Sequence, residues 1–101
     1  MKPTKLTNFR YTFHGPMTRQ LFDFGCLAQF DNTGRYGVGS GPSRAKAIIN
    51  AIAGFRDTPS AAIIDQINER VQMNMQSDWQ QVEGDVEDGT EMFCVIEVET
   101  E

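Results

Sequence analysis

Apolar side chains alternate with polar ones in two stretches of the N-terminal third of the chain. In residues 8–13 the apolar members are Phe9, Tyr11 and Phe13, and this period of two predicts a half-buried strand. A bend with the sequence HGP follows at 14–16, and the alternation resumes in residues 21–30. One face of this second predicted strand carries Phe22, Phe24, Cys26, Ala28 and Phe30.

Two more strands are predicted further along the chain. Residues 31–34, with the sequence DNTG, have the chemistry of a hairpin turn, because Asp and Asn tolerate unusual backbone angles and Gly supplies a positive φ. The turn predicts a hairpin that leads into a short third strand at 35–39. The run MFCVIEV at 92–98 is apolar at nearly every position, which is typical of a strand at the centre of a sheet.

Helical spacing of apolar residues appears between the third strand and the last one. Pro42 suits the first turn of a helix, where its missing N–H costs nothing, and Ser40, Gly41 or Ser43 is expected to cap that helix. Its apolar positions recur at intervals of three and four residues. They are Ala45, Ile48, Ile49, Ile52 and Phe55.

A second helix is predicted after Thr58, which is expected to cap it, with Pro59 in its first position. Its apolar stripe contains Ile63, Ile64, Ile67 and Val71. The resulting order is β-β-β-α-α-β. It predicts an α+β fold in which an antiparallel sheet of about four strands carries two helices on one face and leaves the other face open. The length of 101 residues fits a single domain over 1–101.

Charge is distributed unevenly along the chain, whose net charge is −5. Residues 1–50 carry seven Lys or Arg and two acids, whereas residues 51–101 carry two Arg and twelve acids. An acidic segment at 78–91 is therefore expected to bind the basic surface of a partner, with Trp79 as an apolar anchor. The alternatives are a solvated loop that binds no partner, and neutralisation of these carboxylates by cations from the first half. The predicted partner-binding residues are Asp78, Trp79, Glu83, Asp85, Glu87, Asp88 and Glu91.

Glycines and cations around the start of the first predicted helix suggest a different site. A helix N-terminus attracts anions, and glycines allow a phosphate to approach the backbone closely. The spacing fits neither the dinucleotide fingerprint nor the Walker loop, so a structural turn is the other interpretation. The alternative phosphate-binding residues are Arg10, Arg35, Gly39, Gly41, Arg44 and Lys46.

Residues 20–55 resemble part of a known nucleic-acid-binding family. A predicted hairpin, a glycine-rich turn and an alanine-rich helix follow one another there, with matches at Gly39, Ser43, Arg44, Ala47 and Ala51. This arrangement is similar to the second half of a double-stranded RNA-binding domain. The resemblance implies contacts between cations at the helix start and phosphates across a groove of the nucleic acid.

Catalytic and cofactor chemistry is not expected. Cys26 and Cys94 lie in apolar stretches and are interpreted as reduced, structural thiols, and His14 is the one histidine in the chain. These residues give neither a nucleophile beside a base nor a set of metal ligands. We therefore expect no enzyme, no cofactor and no metal. The absence of a long apolar run or a signal-like N-terminus indicates a cytoplasmic protein without a membrane partner.

Size, acidity and architecture together resemble the small inhibitor proteins that bacteriophages and mobile elements encode, including those of the anti-CRISPR type. The resemblance implies that the chain blocks a host protein, such as a CRISPR effector complex, by occupying a basic surface. A nucleic-acid-binding module and an antitoxin-like partner protein are the alternatives. A homodimer is also possible if residues 92–98 or 35–39 form a sheet edge.

Overall fold

The computed structural model describes residues 4–30, 35–75 and 89–101. It confirms the α+β class, with a three-stranded antiparallel sheet in the order β1-β3-β2. No helix within these three ranges is long and apolar enough to cross a membrane. The elements in chain order are β1 (Leu6–Met17), α1 (Arg19–Gly25), a short 3-10 helix (Leu27–Gln29), β2 (Tyr36–Gly41), α2 (Arg44–Ile52), α3 (Ala61–Met75) and β3 (Glu91–Thr100).

Strand β3 lies at the centre of the sheet, as its apolar sequence predicts. Residues 92–96 are all buried, because β1 and β2 flank the strand and both of its faces are covered. Tyr11 and Gly37 both pair with Ile96, and Arg10 and Tyr36 both pair with Glu97. A homodimer through an edge at 92–98 is therefore wrong, because this strand is not an edge.

The main core lies between the sheet and helices α2 and α3. Strand β3 contributes its even-numbered apolar residues to this face, and Phe9, Tyr11 and Phe13 of β1 pack against the same cluster. Helix α2 packs on β2 and β3, whereas α3 contacts β1. The helical residues buried in this core are Ala45, Ala47, Ile48, Ala51, Ile63, Ile67 and Val71.

The glycines of β2 allow α2 to pack directly on the strand backbone. Gly37, Gly39 and Gly41 alternate along β2 and share the face that α2 covers. A Cβ atom built on Gly39 would lie 2.0 Å from the backbone nitrogen of Ala51, and one on Gly37 would lie 2.4 Å from its carbonyl oxygen. The glycine-rich run is therefore a strand that accepts a helix at close range.

The predicted strand at 21–30 is wrong, because these residues form α1 and the 3-10 helix. Thr18 caps α1 by accepting a hydrogen bond at Oγ1 from the Leu21 N–H. Phe22, Cys26 and Phe30 are spaced by four, an interval that satisfies both a strand alternation and a helical turn. Phe24 separates the two interpretations, since its side chain is 78% exposed whereas that of Phe22 is fully buried.

The expectation of helices on one face only is also wrong. Helix α1 covers the face of the sheet opposite α2 and α3, where the ring of Phe22 stacks on Phe93 with 4.1 Å between centroids. Val95 completes the buried part of this second cluster, and Tyr36 and Val38 pack at its border. The apolar residues on both faces of β3 are thus matched by two separate cores.

Both predicted helices begin later than expected, because Pro42 and Pro59 precede the caps and do not lie in the first helical turns. Ser43, one of three expected caps, accepts a hydrogen bond from the Lys46 N–H and begins α2. The cap of α3 is Ser60 rather than Thr58, because the Ile63 N–H donates to its Oγ at 3.4 Å and the helix begins at Ala61. The predicted turn at 31–34 lies outside the described residues.

Candidate partner-binding surface

Most of the acidic segment predicted to bind a partner lies outside the described residues. These are Asp78, Trp79, Glu83, Asp85, Glu87 and Asp88. Glu91 is the seventh predicted residue, and the structure places it at the first position of β3, half-buried and paired with Met17. In the sequence, the acidic segment therefore lies between helix α3 and the central strand β3.

The described part of the chain is balanced in charge. It contains eight Lys or Arg residues and eight Asp or Glu residues, although the whole chain carries −5. Residues 76–88 carry five carboxylates and no Lys or Arg, which equals the full net charge. Lys2 and Asp31, the two remaining charged residues, cancel each other. The negative excess thus belongs to one segment of sequence.

A polar cluster on β1, β2 and β3 occupies the sheet face opposite α2 and α3. The guanidinium of Arg10 donates a hydrogen bond to the carboxylate of Glu97, directly across the β1–β3 pair. The Arg35 guanidinium lies 5.2 Å from the centre of the Tyr36 ring and donates to its hydroxyl at 3.2 Å. The sequence did not identify this cluster, because Glu97 is a single acid in an otherwise apolar run.

One hydrogen bond shifts the pKa values of Arg10 and Glu97 in opposite directions. The hydrogen bond from Arg10, followed by one from Tyr36, lowers the pKa of the Glu97 carboxyl below its ordinary value of 4.5. The same hydrogen bond raises the pKa of Arg10. Both shifts keep the pair ionised, so Glu97 is neutralised within the fold and is not available as excess negative charge.

A shallow cavity of about 390 Å³ lies beside the polar cluster. Arg10 and Thr12 of β1 form one side, Val95 and Glu97 of β3 form its floor, and Phe30 borders it. This is the part of the second sheet face that α1 leaves open. The prediction of an open, polar sheet face is therefore correct for one end of the sheet only.

The six residues of the alternative phosphate site do not form one cradle. Gly39 and Gly41 direct their Cα hydrogens at α2, where Ala51 and Lys46 approach them, so a phosphate cannot reach that face of the glycines. Arg10 and Arg35 gather around Glu97 on the opposite side of the sheet. The arrangement separates these two arginines from the cations of α2.

The cap of α2 occupies one of the donors at its N-terminus. The Lys46 N–H donates to Ser43 Oγ, so one of the first N–H groups that would hold an anion already has a partner. Pro42 supplies no N–H. The guanidinium of Arg44 lies 5.7 Å from the Phe13 ring of β1 and extends over the core rather than toward the helix start.

Exposed large apolar side chains occur on all three α-helices, including Ile49 of α2, which is 48% exposed. Leu21 and Phe24 of α1 are 63% and 78% exposed, and Met73 of α3 is 70% exposed. The strand interpretation of 21–30 placed Phe24 in the core. Leu21 and Phe24 are three residues apart, so they lie side by side on the helix surface. Leu21 and Phe24 are exposed because residues 19–25 form a helix, which the sequence did not predict.

The two cysteines occupy different environments. Cys94 is fully buried in the main core, and burial raises the pKa of its thiol to about 12. Because the thiolate is the reactive form, Cys94 is inert at neutral pH. Cys26 is half-buried at the border of the second cluster. Both are free thiols, in agreement with the predicted structural role.

Comparisons with known proteins return no relatives: no protein family, curated protein or solved structure matches the chain.

Proposed function

We propose that this chain is a non-enzymatic protein that binds the basic surface of a partner protein through its acidic segment. In this proposal it is an inhibitor of the kind that bacteriophages and mobile elements encode, it acts in the cytoplasm of the host cell, and it blocks a nucleic-acid-handling host protein such as a CRISPR effector complex. Trp79, which lies between Asp78 and the other four carboxylates of 76–88, and Glu91, which follows them, contribute to the same contact.

The observation that carries this proposal is the difference in charge between the described residues and the segment 76–88. Eight cations balance eight carboxylates in the described residues, and 76–88 contains five acids without a base. Opposite charges on two proteins accelerate their encounter and select the right partner, most strongly where one sign is concentrated. A basic nucleic-acid groove is a surface of that kind.

Two ion pairs among the described residues support the same proposal. Arg10 is occupied by Glu97, and the ammonium of Lys5 lies 3.8 Å from the carboxylate of Glu101. In these two pairs, cations from the N-terminal half contact an acid of β3 and the acid at position 101. The interpretation that N-terminal cations neutralise the acidic segment is weakened, because two of them already face other carboxylates.

The test compares two variants that lose the same charge at different places. One variant replaces the five acids of 76–88 by amides (Asp78→Asn, Glu83→Gln, Asp85→Asn, Glu87→Gln and Asp88→Asn). The matched control neutralises five exposed acids elsewhere: Asp57→Asn, Asp65→Asn, Glu69→Gln, Glu99→Gln and Glu101→Gln. Each chain is immobilised and exposed to bacterial lysate at about 50 mM and about 500 mM salt, since added salt screens exposed charges.

We expect the native chain and the control to capture the same basic protein at low salt, and the segment variant to lose it at least tenfold. Trp79→Ala is expected to weaken the capture as well, because truncating an aromatic hot spot typically costs about 2 kcal/mol or more. Equal capture by the native and segment-neutralised chains contradicts the proposal. Capture of RNA or DNA in place of a protein would favour the nucleic-acid alternative.

A further inference from the structure

The shallow cavity beside the polar cluster lies over two neighbouring rows of paired residues in the sheet. In one row Glu97 of β3 pairs with Arg10 of β1 and with Tyr36 of β2. In the next row Val95 pairs with Thr12. All seven residues that line the cavity belong to the described ranges. Its volume of about 390 Å³ lies within the usual range of binding pockets, roughly 300–1,000 Å³.

The walls of this cavity differ in polarity. Val95 forms an apolar floor, and the half-buried side chain of Phe30 lies at one border. The polar end is formed by the side chains of Arg10 and Glu97, which are 70% and 17% exposed. An occupant therefore needs a flat apolar body, with a polar group at one end that both accepts and donates a hydrogen bond.

The pair formed by Arg10 and Glu97 has hydrogen-bonding capacity left. A guanidinium carries five N–H donors, and the structure shows one hydrogen bond from Arg10, which goes to Glu97. A carboxylate has about four acceptor positions, and that of Glu97 accepts from Arg10 and from Tyr36. The pair can therefore bind a hydroxyl group, which accepts from Arg10 and donates to Glu97.

Tyr36 shows which chemistry this cluster already binds. Its ring packs against that of Phe30 with 5.1 Å between the centroids. Its hydroxyl accepts a hydrogen bond of 3.2 Å from the Arg35 guanidinium and donates one to Glu97. On the β1 side, the cavity offers the same kinds of contact through Phe30, a guanidinium and the same carboxylate. A second phenol ring therefore matches the cavity.

We propose that this cavity binds the side chain of a tyrosine that a partner protein presents. The ring lies on Val95 beside Phe30, and its hydroxyl lies between Arg10 and Glu97. Because Arg10 and Glu97 neutralise each other, a neutral phenol suits the site better than a charged group. A shallow cavity covers a ring but leaves the rest of a larger ligand outside, which favours a side chain held by a protein surface. Tyrosine combines an apolar ring with a polar end and is enriched at interfaces.

This inference uses neither the acidic segment nor a strand edge. It can therefore fail independently of the proposed function, because the lysate capture tests the acidic segment whereas a tyrosine peptide tests the cavity. It is also independent of the homodimer through 35–39, which stays a prediction because β2 is an edge strand of the sheet.

The probe is the capped peptide N-acetyl-Gly-Tyr-Gly-amide, titrated into the isotope-labelled full chain and followed by NMR. We expect the methyl signals of Thr12 and Val95 and the Nε–H signal of Arg10 to shift together, with a Kd on the order of 1 mM. The matched peptide with phenylalanine should bind at least tenfold more weakly, because it lacks the hydroxyl that bonds to the ion pair. Signals of the main core, such as those of Ile48 and Ile67, should stay in place.

Two chain variants test the role of Arg10. Arg10→Met keeps an apolar stem but removes the donors, so it should weaken binding of the tyrosine peptide at least tenfold and abolish the difference between the two peptides. Lys46→Gln, which changes an exposed cation of α2, should leave the affinity unchanged. The comparison of the two peptides on the native chain tests the proposal even if Arg10→Met fails to fold.

The source of the phenol is tested with para-cresol, which is the tyrosine side chain without a backbone. We expect para-cresol to shift the same signals as the tyrosine peptide. Binding of para-cresol without binding of the tyrosine peptide would assign the cavity to a small molecule and overturn the proposal. Absence of binding, or equal affinity of the native chain for the tyrosine and phenylalanine peptides, overturns it as well.

Discussion

Gly39 lies on the face of β2 that α2 covers, and its role is set by the lack of a side chain. Ala51 of α2 approaches so closely that a methyl group has no space, and the neighbouring atoms are backbone, which cannot turn aside. The sequence indicated that glycines were needed here but not why. A run of alternate glycines is compatible with a phosphate loop, a turn or a strand under a helix, and only the position of α2 decides between them.

Gly39→Ala should destabilise the protein by about 2–3 kcal/mol or more, because the added carbon forces α2 away from the sheet. Gly25→Ala is the matched control. A Cβ at Gly25 meets nothing within 4 Å, so this change should alter the free energy of unfolding by no more than about 0.5 kcal/mol. Urea denaturation of both variants measures the difference. Equal stabilities would contradict the close packing of α2 on β2.

Glu97 makes stability depend on acid pH. Its folded-state pKa is lowered, so its contribution is fully present above the ordinary value of 4.5 and is lost as the pH falls through the lower, folded-state pKa. Glu97→Gln should remove this part of the acid dependence, measured as the free energy of unfolding against pH. Glu99→Gln keeps the bond between Arg10 and Glu97 and should preserve it. An unchanged pH profile in Glu97→Gln would refute the assigned pairing.

For helix α1, the sequence pattern was compatible with both a strand and a helix. Phe22, Cys26 and Phe30 are four residues apart, and this spacing satisfies a strand as well as a helix, so the alternation at 21–30 predicted a strand that does not form. Thr18 as a cap was the available signal for a helix. The continuous apolar pattern of β3 and the helical spacing in α2 and α3 had no such ambiguity, and those elements were predicted correctly.

Phe22→Ala and Phe24→Ala distinguish the two assignments of this element. Phe22 stacks on Phe93 in the second core, so its truncation should cost about 3–4 kcal/mol. Phe24 is 78% exposed, and its truncation should change stability by less than about 0.5 kcal/mol. Thermal and urea unfolding measure both. Similar losses in the two variants would indicate a strand with both rings on a buried face.

On the scale of the whole molecule, the negative excess belongs to residues 76–88. The sequence predicted the acidic segment by composition, and its binding to a partner stays a prediction, because the segment lies outside the described residues. The polar cluster around Glu97 was not predictable. It arises from the pairing of Arg10 with Glu97, which are more than 80 positions apart, and no local pattern reports such a pairing.

The salt dependence of binding to the captured partner protein tests the central claim most directly. Affinity is measured between about 50 and 500 mM salt for the native chain, the segment-neutralised chain and the control neutralised elsewhere, because screening weakens exposed charge pairs. The account predicts a steep loss of affinity with salt for the native chain and the control, and weak, nearly salt-independent binding for the segment variant. The same steep dependence in all three chains would contradict it.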